Sequence, residues 1–164
     1  MTKVAITGHR ADKLQTMNQQ FIKTQLAHAF NDLNASLVIQ GMCDGVDLLS
    51  AKIAYDNHIP YWAVRPWSGH TAPAGWRDYY LNARVYAEKV ITLVEAETYP
   101  GHWVMHNRNK WMVDNSDLLV AVWNGEKSGG TFATIKYAKS KGKDVWRIDP
   151  RRMETGWLAA ADLR

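Results

Sequence analysis

Several things are scarce in this 164-residue chain, and each scarcity removes a class of protein. A lone cysteine, Cys43, excludes an internal disulfide framework and fits a reducing compartment. No apolar run approaches the roughly 18 residues of a membrane-spanning helix. The opening Met1-Thr2-Lys3-Val4-Ala5-Ile6-Thr7 is too short for the apolar part of a secretory signal. The expected address is therefore the cytoplasm, with no membrane partner. No block of consecutive Lys and Arg occurs, so the net charge of +4 is spread along the chain. A mild basic excess favours anionic ligands without singling out a nucleic-acid polymer. No internal repeat, low-complexity stretch or linker is visible.

What is present is ordinary globular composition, with 46% hydrophobic and 22% charged residues, enough for one domain with a proper core. The eight tryptophans are an excess for this length. Val4 to Thr7, Leu37 to Gln40, Lys89 to Val94 and Leu118 to Trp123 are short Val/Ile/Leu-rich runs. They do not alternate with polar residues, as expected of parallel strands covered on both faces. Tyr61 to Val64 and Val145 to Ile148 read as two more. Between them Gln15 to Leu33, Val46 to Asn57, Arg77 to Glu88, His102 to Asp114 and Thr131 to Lys141 carry helical patterns. Strands alternating with helices predict an α/β fold: a Rossmann-like, doubly wound parallel sheet with helices on both faces. Residues 1–164 then form one domain, with 1–149 as core and 150–164 as a tail. That tail is expected to make a last short helix docked through Met153, Trp157 and Leu158.

In such sheets ligands bind beyond the carboxyl ends of the strands, where strand order reverses. Three turns at that edge carry glycine and small polar residues. Thr7-Gly8-His9-Arg10 follows the first strand: Gly8 admits a close ligand approach, Arg10 suits a phosphate, and His9 flanks the turn. Gly41-Met42-Cys43-Asp44-Gly45-Val46-Asp47 opens a helix with two glycines four apart, so its amides can face an anion. Asp47 suits either a ribose hydroxyl or a helix cap, the cap being the commoner use. Gly125 to Thr131 contains Ser128-Gly129-Gly130-Thr131, which opens another helix and offers its dipole and free amides to an anion. None of these spacings is a Walker motif or the dinucleotide glycine fingerprint.

The long irregular piece Arg65 to Trp76 is functional or an interface element by its length alone. Trp67 and Trp76 within it are candidates for stacking on a base, packing being the alternative. His102 and His106 are four apart, but two imidazoles alone make a poor zinc site, and no metal is expected. Exposed tryptophans on the loop and tail favour a homo-oligomer.

The three turns, with the string from Arg108-Asn109 through Ser116-Asp117 to Gly129-Gly130-Thr131, resemble the SLOG superfamily over roughly Lys3 to Asp149. That group joins DNA-processing proteins of the DprA type to the "lonely guy" phosphoribohydrolases, and the nearest likeness is to its small YpsA-like members. The resemblance implies a nucleotide or nucleotide-derived ligand at the glycine turns. It also implies an arginine in a Met-His-x-Arg-Lys string, matched by Met105-His106-Asn107-Arg108-Asn109, so Arg108 inherits that position as the one candidate catalytic residue. The hydrolases' glutamate, three residues after the Thr of the glycine turn, is Thr134 here. A threonine cannot stabilise oxocarbenium character as a carboxylate does. Glu126, Asp44 and Asp47 are the carboxylates that would have to substitute. The expected function is thus binding of a nucleotide, ADP-ribose or NAD-like molecule by a sensor or carrier. Hydrolysis of an N-glycosidic or phosphate-linked bond is the alternative, and single-stranded DNA binding, by analogy with the DprA side, the second alternative.

Overall fold

The computed structural model describes all residues, 1–164. Six parallel strands run β1 (Thr2–Gly8), β2 (Ala35–Gln40), β3 (Tyr61–Arg65), β4 (Lys89–Thr92), β5 (Leu118–Val122) and β6 (Val145–Asp149), in the sheet order β4-β3-β2-β1-β5-β6. The chain steps outward from β1 to β4 and then returns to lay β5 on the other side of β1. Strand order therefore reverses between β1 and β5.

The apolar runs divide their side chains between the two faces, as the two-residue strand period requires. Val4, Ile6, Val38, Val120, Val122 and Ile148 pack in one cluster beneath α2 (Gln19–Asp32), α3 (Val46–Asp56) and α4 (Arg77–Tyr86). Ala5, Leu37, Ile39, Leu119, Ala121 and Val145 pack in a second beneath α5 (Trp103–Asp114) and α6 (Gly129–Ser140). Each central strand is buried on both sides, so the doubly wound arrangement read from the sequence is the one observed.

Two boundaries differ from expectation. The helix expected to begin at Gln15 is interrupted: a single turn, α1 (Ala11–Leu14), is followed by α2 from Gln19. The cause is Asn18, whose Oδ1 accepts the Phe21 amide at 2.9 Å and starts α2 afresh. The tail is a strand before it is anything helical. β7 (Glu154–Trp157) pairs antiparallel with β6, and a 3₁₀ turn, Ala160–Leu163, comes only after it. The reversal is made by Asp149, whose Oδ1 accepts the amides of Arg151 and Arg152 at 2.9 and 3.2 Å. Of the three docking residues expected there, Leu158 is buried, whereas Met153 and Trp157 remain about half exposed. No helix is long and apolar enough to cross a membrane.

Candidate functional site

The carboxyl ends of β1, β2 and β5 open onto one cleft of about 860 Å³, beside the point where strand order reverses. That size is in the range of small-molecule sites. Gly8, His9, Arg10, Asp44, Asp47, Trp67, Arg108, Gly130 and Thr131 all line it.

The two turns nearest β1 are locked together by close contact. A Cβ on Gly8 would stand 2.6 Å from Cβ of Val46, so only glycine lets α3 approach the strand end. Gly45 has φ +99 and its missing Cβ would meet the His9 carbonyl oxygen at 2.5 Å, while Val46 donates its amide to that oxygen at 3.2 Å. Asp44 uses Oδ2 to accept the Ala11 amide at 3.2 Å, so it latches the first turn after β1. Gly45 thus shapes the wall from behind and does not line the cleft.

Arg108 is the pivot of the floor. It lies on α5, is 4% exposed, and donates through Nη1 to the Gly41 carbonyl at 2.7 Å. Nε and Nη2 both donate to Asn109 Oδ1, at 3.1 and 3.0 Å. The only ion pairs in the protein join Lys13 to Glu126, Lys52 to Asp56 and Arg147 to Asp149, so no carboxylate lies within 4.0 Å of this guanidinium. Burial works against its charge, but the neighbouring Cys43 sulfur and Asp47 carboxyl outweigh that, and its pKa is raised. Gly41 therefore contributes as the arginine's acceptor and is not itself part of the lining.

The titratable groups of the cleft are shifted mainly by burial. Asp47, 8% exposed, accepts the Cys43 amide at Oδ2 (3.2 Å); burial pushes its pKa up against the pull of Arg108. It sits in the first turn of α3 and bonds backward to residue 43. His9 is held neutral: burial, then Lys13, lower its pKa, and Nε2 accepts the Asn124 amide at 3.2 Å, tying the end of β1 to the loop after β5. With Nε2 accepting, Nδ1 carries the proton.

At the third turn, Gly130 and Thr131 face the cleft, whereas Ser128 occupies the N-cap position of α6 without a side-chain cap bond, and Gly129 makes the turn with φ +84. Neither Ser128 nor Gly129 lines the cleft. Thr134 turns its hydroxyl back to the Gly130 carbonyl at 2.8 Å, inside its own helix. Glu126 points outward to Lys13 at 2.5 Å, both side chains being about half exposed. Of the three carboxylates that could replace the hydrolases' glutamate, the cleft thus holds Asp44 and Asp47.

Trp67 lines the cleft with its ring edge-on to Tyr99 at 5.9 Å. Trp76 is elsewhere, packed on the first core cluster and against Tyr79 at 5.0 Å. Sequence reasoning overlooked His70, Tyr99 and Asn109 in the wall, and weighed His102 and His106 only as metal ligands. His102 and His106 face the cleft with ring centroids 5.1 Å apart. The length of the Arg65 to Trp76 loop was the one signal that could have pointed to His70.

A doubly wound sheet with glycine turns converging on a cleft at its switch point, and an arginine from α5 in the floor, is a Rossmann-like architecture of the kind that the SLOG resemblance implies. The chain belongs to the DNA recombination-mediator protein A family, whose model matches residues 1–163. A curated relative, the uncharacterized SPbeta prophage-derived protein YoqJ of Bacillus subtilis (strain 168), is 29% identical over 154 residues, covering 85% of this chain and 86% of that one. Among solved structures, the DNA processing protein A of Streptococcus pneumoniae superposes with a TM-score of 0.67 at 19% identity, over 88% of this chain and 49% of that chain. DNA processing protein A of Helicobacter pylori, solved for its single-stranded DNA binding mode, gives 0.68 at 17% identity, over 88% and 64%. The molybdenum cofactor carrier protein of Chlamydomonas reinhardtii gives 0.53 at 17% identity, over 87% and 73%. The chain spans about half to two-thirds of the two DNA processing proteins, and at these identities the likeness is one of fold.

Proposed function

We propose that the protein binds a nucleotide or nucleotide-derived ligand in the cleft and acts as a sensor or carrier. The observation that carries this reading is the Arg108 guanidinium, buried in the cleft floor with no carboxylate partner. Asp47 favours its charge only from beyond ion-pair distance, and an anionic ligand supplies a counter-ion in direct contact. Arg10 and Lys13 line the same cleft, as do the glycine-rich turns after β1 and at the start of α6, so the phosphate belongs at that end. Trp67 and Tyr99 offer an aromatic wall for a base. In this reading Gly8, His9, Arg10, Asp44, Asp47, Arg108, Gly130 and Thr131 contact ligand. Gly41, Gly45, Ser128 and Gly129 shape the turns that present those contacts. The 164 residues act as one unit, in the cytoplasm and as a homo-oligomer.

The test is a thermal-shift screen against nucleoside monophosphates, ADP-ribose, NAD and cyclic nucleotides, with recovered ligand quantified by chromatography. A ligand at a hundred times its Kd adds about 2.7 kcal/mol of stability, a readily measured shift. Stabilisation with ligand recovered intact supports a sensor or carrier. A new product instead indicates a hydrolase that uses one of the two cleft carboxylates, Asp44 or Asp47, since Thr134 is tied to Gly130. Absence of any shift overturns the reading.

A second reading, single-stranded DNA binding, is favoured by the family to which the chain belongs. Its expected signature is oligonucleotide affinity that falls steeply with salt, together with tryptophan quenching. A flat titration at low ionic strength removes it.

A further inference from the structure

Away from the cleft, α3 and α4 enclose a second hollow over β3, of about 220 Å³, and the two share no lining residue. α3 presents Leu48, Ala51, Lys52 and Tyr55, spaced by three and four, so they form one face of the helix. α4 presents Asp78, Tyr79, Asn82, Ala83 and Tyr86 on a face of the same kind. The seam between the helices stays open because Ala51 and Ala83 stand where larger side chains would fill it. Tyr61 of β3 is buried at the floor, its hydroxyl donating to the Ala83 carbonyl at 2.7 Å. Tyr55 and Tyr86 are about half exposed at the mouth, with ring centroids 4.7 Å apart.

Four of the chain's seven tyrosines thus line one small hollow. The face of such a ring is electron-rich and attracts cations. Five cation–π contacts occur in the protein, on Trp62, Trp123, Phe132 and twice on Tyr137, and none involves these four rings. Lys52, the one cation of the lining, is engaged by Asp56 at 2.9 Å. Asp78 enters none of the protein's three ion pairs. With Lys52 matched by Asp56, the charge left over is the Asp78 carboxylate, beside four aromatic rings.

The chemistry of the lining also selects the kind of cation. A bare ammonium is strongly hydrated and matches poorly a lining in which seven of ten residues are hydrophobic. Methylation removes the N–H donors and spreads the charge over apolar surface, which suits ring faces. The hollow is smaller than the roughly 300–1,000 Å³ of a drug-sized ligand site, so it suits a molecule of the size of choline and not a nucleotide.

We propose that the hollow between α3 and α4 binds a small quaternary ammonium compound, held by Tyr55, Tyr61, Tyr79 and Tyr86 with Asp78 as its counter-ion. Tyr61 closes the floor, and the rings of Tyr55 and Tyr86 shield the methyl groups at the mouth. The site is separate from the cleft, so it stands or falls independently of the function proposed above.

The experiment titrates the isotope-labelled full chain with choline chloride and follows the backbone amides by NMR, with sodium chloride holding ionic strength constant. The control is 3,3-dimethylbutanol, which has the shape of choline with carbon in place of nitrogen and carries no charge. The expected result is saturable shifts in residues 48–55 and 78–86, with the neutral isostere roughly tenfold weaker. Tyr86→Leu should weaken choline by roughly three- to thirtyfold. Asp78→Asn should weaken choline while leaving the isostere unchanged. Both positions are exposed, so the unfolding midpoint and any nucleotide binding in the cleft should stay as in the parent. Equal binding of choline and the isostere would reveal an apolar groove without charge selection and overturn the proposal. So would the absence of saturable shifts in these two segments, or sedimentation with phosphatidylcholine vesicles when free choline does not bind.

Discussion

Arg108 and Gly41 meet across the floor of the cleft: Nη1 donates to the glycine carbonyl at 2.7 Å, joining segments 67 residues apart. A Cβ at position 41 would stand 2.7 Å from Arg108 Nε, so the glycine is demanded by the arginine's path and not by its own backbone torsions. Gly41→Ala is therefore expected to act through Arg108. If the guanidinium holds a phosphate, Arg108→Gln should weaken nucleotide binding by about 1.5–3 kcal/mol, the range of a hydrogen bond to a charged group. Gly41→Ala should reproduce part of that loss, and the double variant should bind no worse than Arg108→Gln alone, as residues acting through one contact are non-additive. Titration calorimetry on the four proteins checks it; full additivity would show that Gly41 acts independently.

Two glycines, Gly45 behind the cleft wall and Gly130 in its lining, separate fold from ligand contact. Gly45 has φ +99, and its missing Cβ would overlap the His9 carbonyl at 2.5 Å, backbone that cannot yield without moving the end of β1. Gly45→Ala should cost at least the roughly 1–3 kcal/mol of a strained torsion, measured as a fall in the urea midpoint. Gly130 has nothing within 4 Å of its Cβ position and lies in the first turn of α6. Gly130→Ala should raise stability by up to about 1 kcal/mol through helix propensity. It should weaken ligand binding nonetheless, because Gly130 lines the cleft and an added methyl there takes room from a ligand.

The contrast between those glycines explains what the sequence could and could not disclose. The parallel sheet was legible because strands buried on both faces must be continuously apolar, as Val4 to Thr7 and Leu118 to Trp123 are. The three glycine turns were legible as one edge because each follows such a strand. The division of labour within them was not. Gly8 and Gly45 look alike in sequence, yet one lines the cleft and the other braces it from behind, a difference set by where α3 packs against β1. The wall residues Tyr99 and Asn109 lie outside any turn motif, and only tertiary folding brings them to the site. The tail was misjudged for a related reason: β7 exists because β6 leaves an edge to pair with, a feature of the sheet and not of residues 154–157.

Acid should act on the cleft through its imidazoles. The folded protein holds His70 near 3, against 6.5 for the free side chain, while the unfolded chain titrates at the ordinary value. Between those two values the unfolded state binds a proton that the folded state refuses, so this contribution to stability is complete above about 6.5 and is lost as pH falls toward 3. His9, lowered by burial, has the same sign. His70→Gln should therefore show a shallower fall of the urea midpoint than the parent over that window. The carboxylates are common to both proteins and cancel in the comparison. Parallel curves would mean that His70 titrates normally in the folded state.

Trp67 and Trp76 belong to one loop, and the structure assigns them opposite environments: Trp67 lines the cleft edge-on to Tyr99, whereas Trp76 packs against Tyr79 and the core beneath α4. Stacking of a base on an aromatic side chain is worth about 1–3 kcal/mol by substitution in single-strand binders. Trp67→Leu should then weaken nucleotide binding by a comparable amount, with little change in the unfolding midpoint. Trp76→Leu should do the reverse, lowering the midpoint and sparing the affinity. Fluorescence makes the same distinction without relying on affinity: ligand should quench the parent and the Trp76→Leu variant alike, and the quenching should be largely lost in Trp67→Leu. If Trp67→Leu retains both affinity and quenching, the base does not lie on this wall. The ligand would then be held by its phosphate end alone, which predicts equal affinity for nucleotides of every base and for ribose phosphate without one.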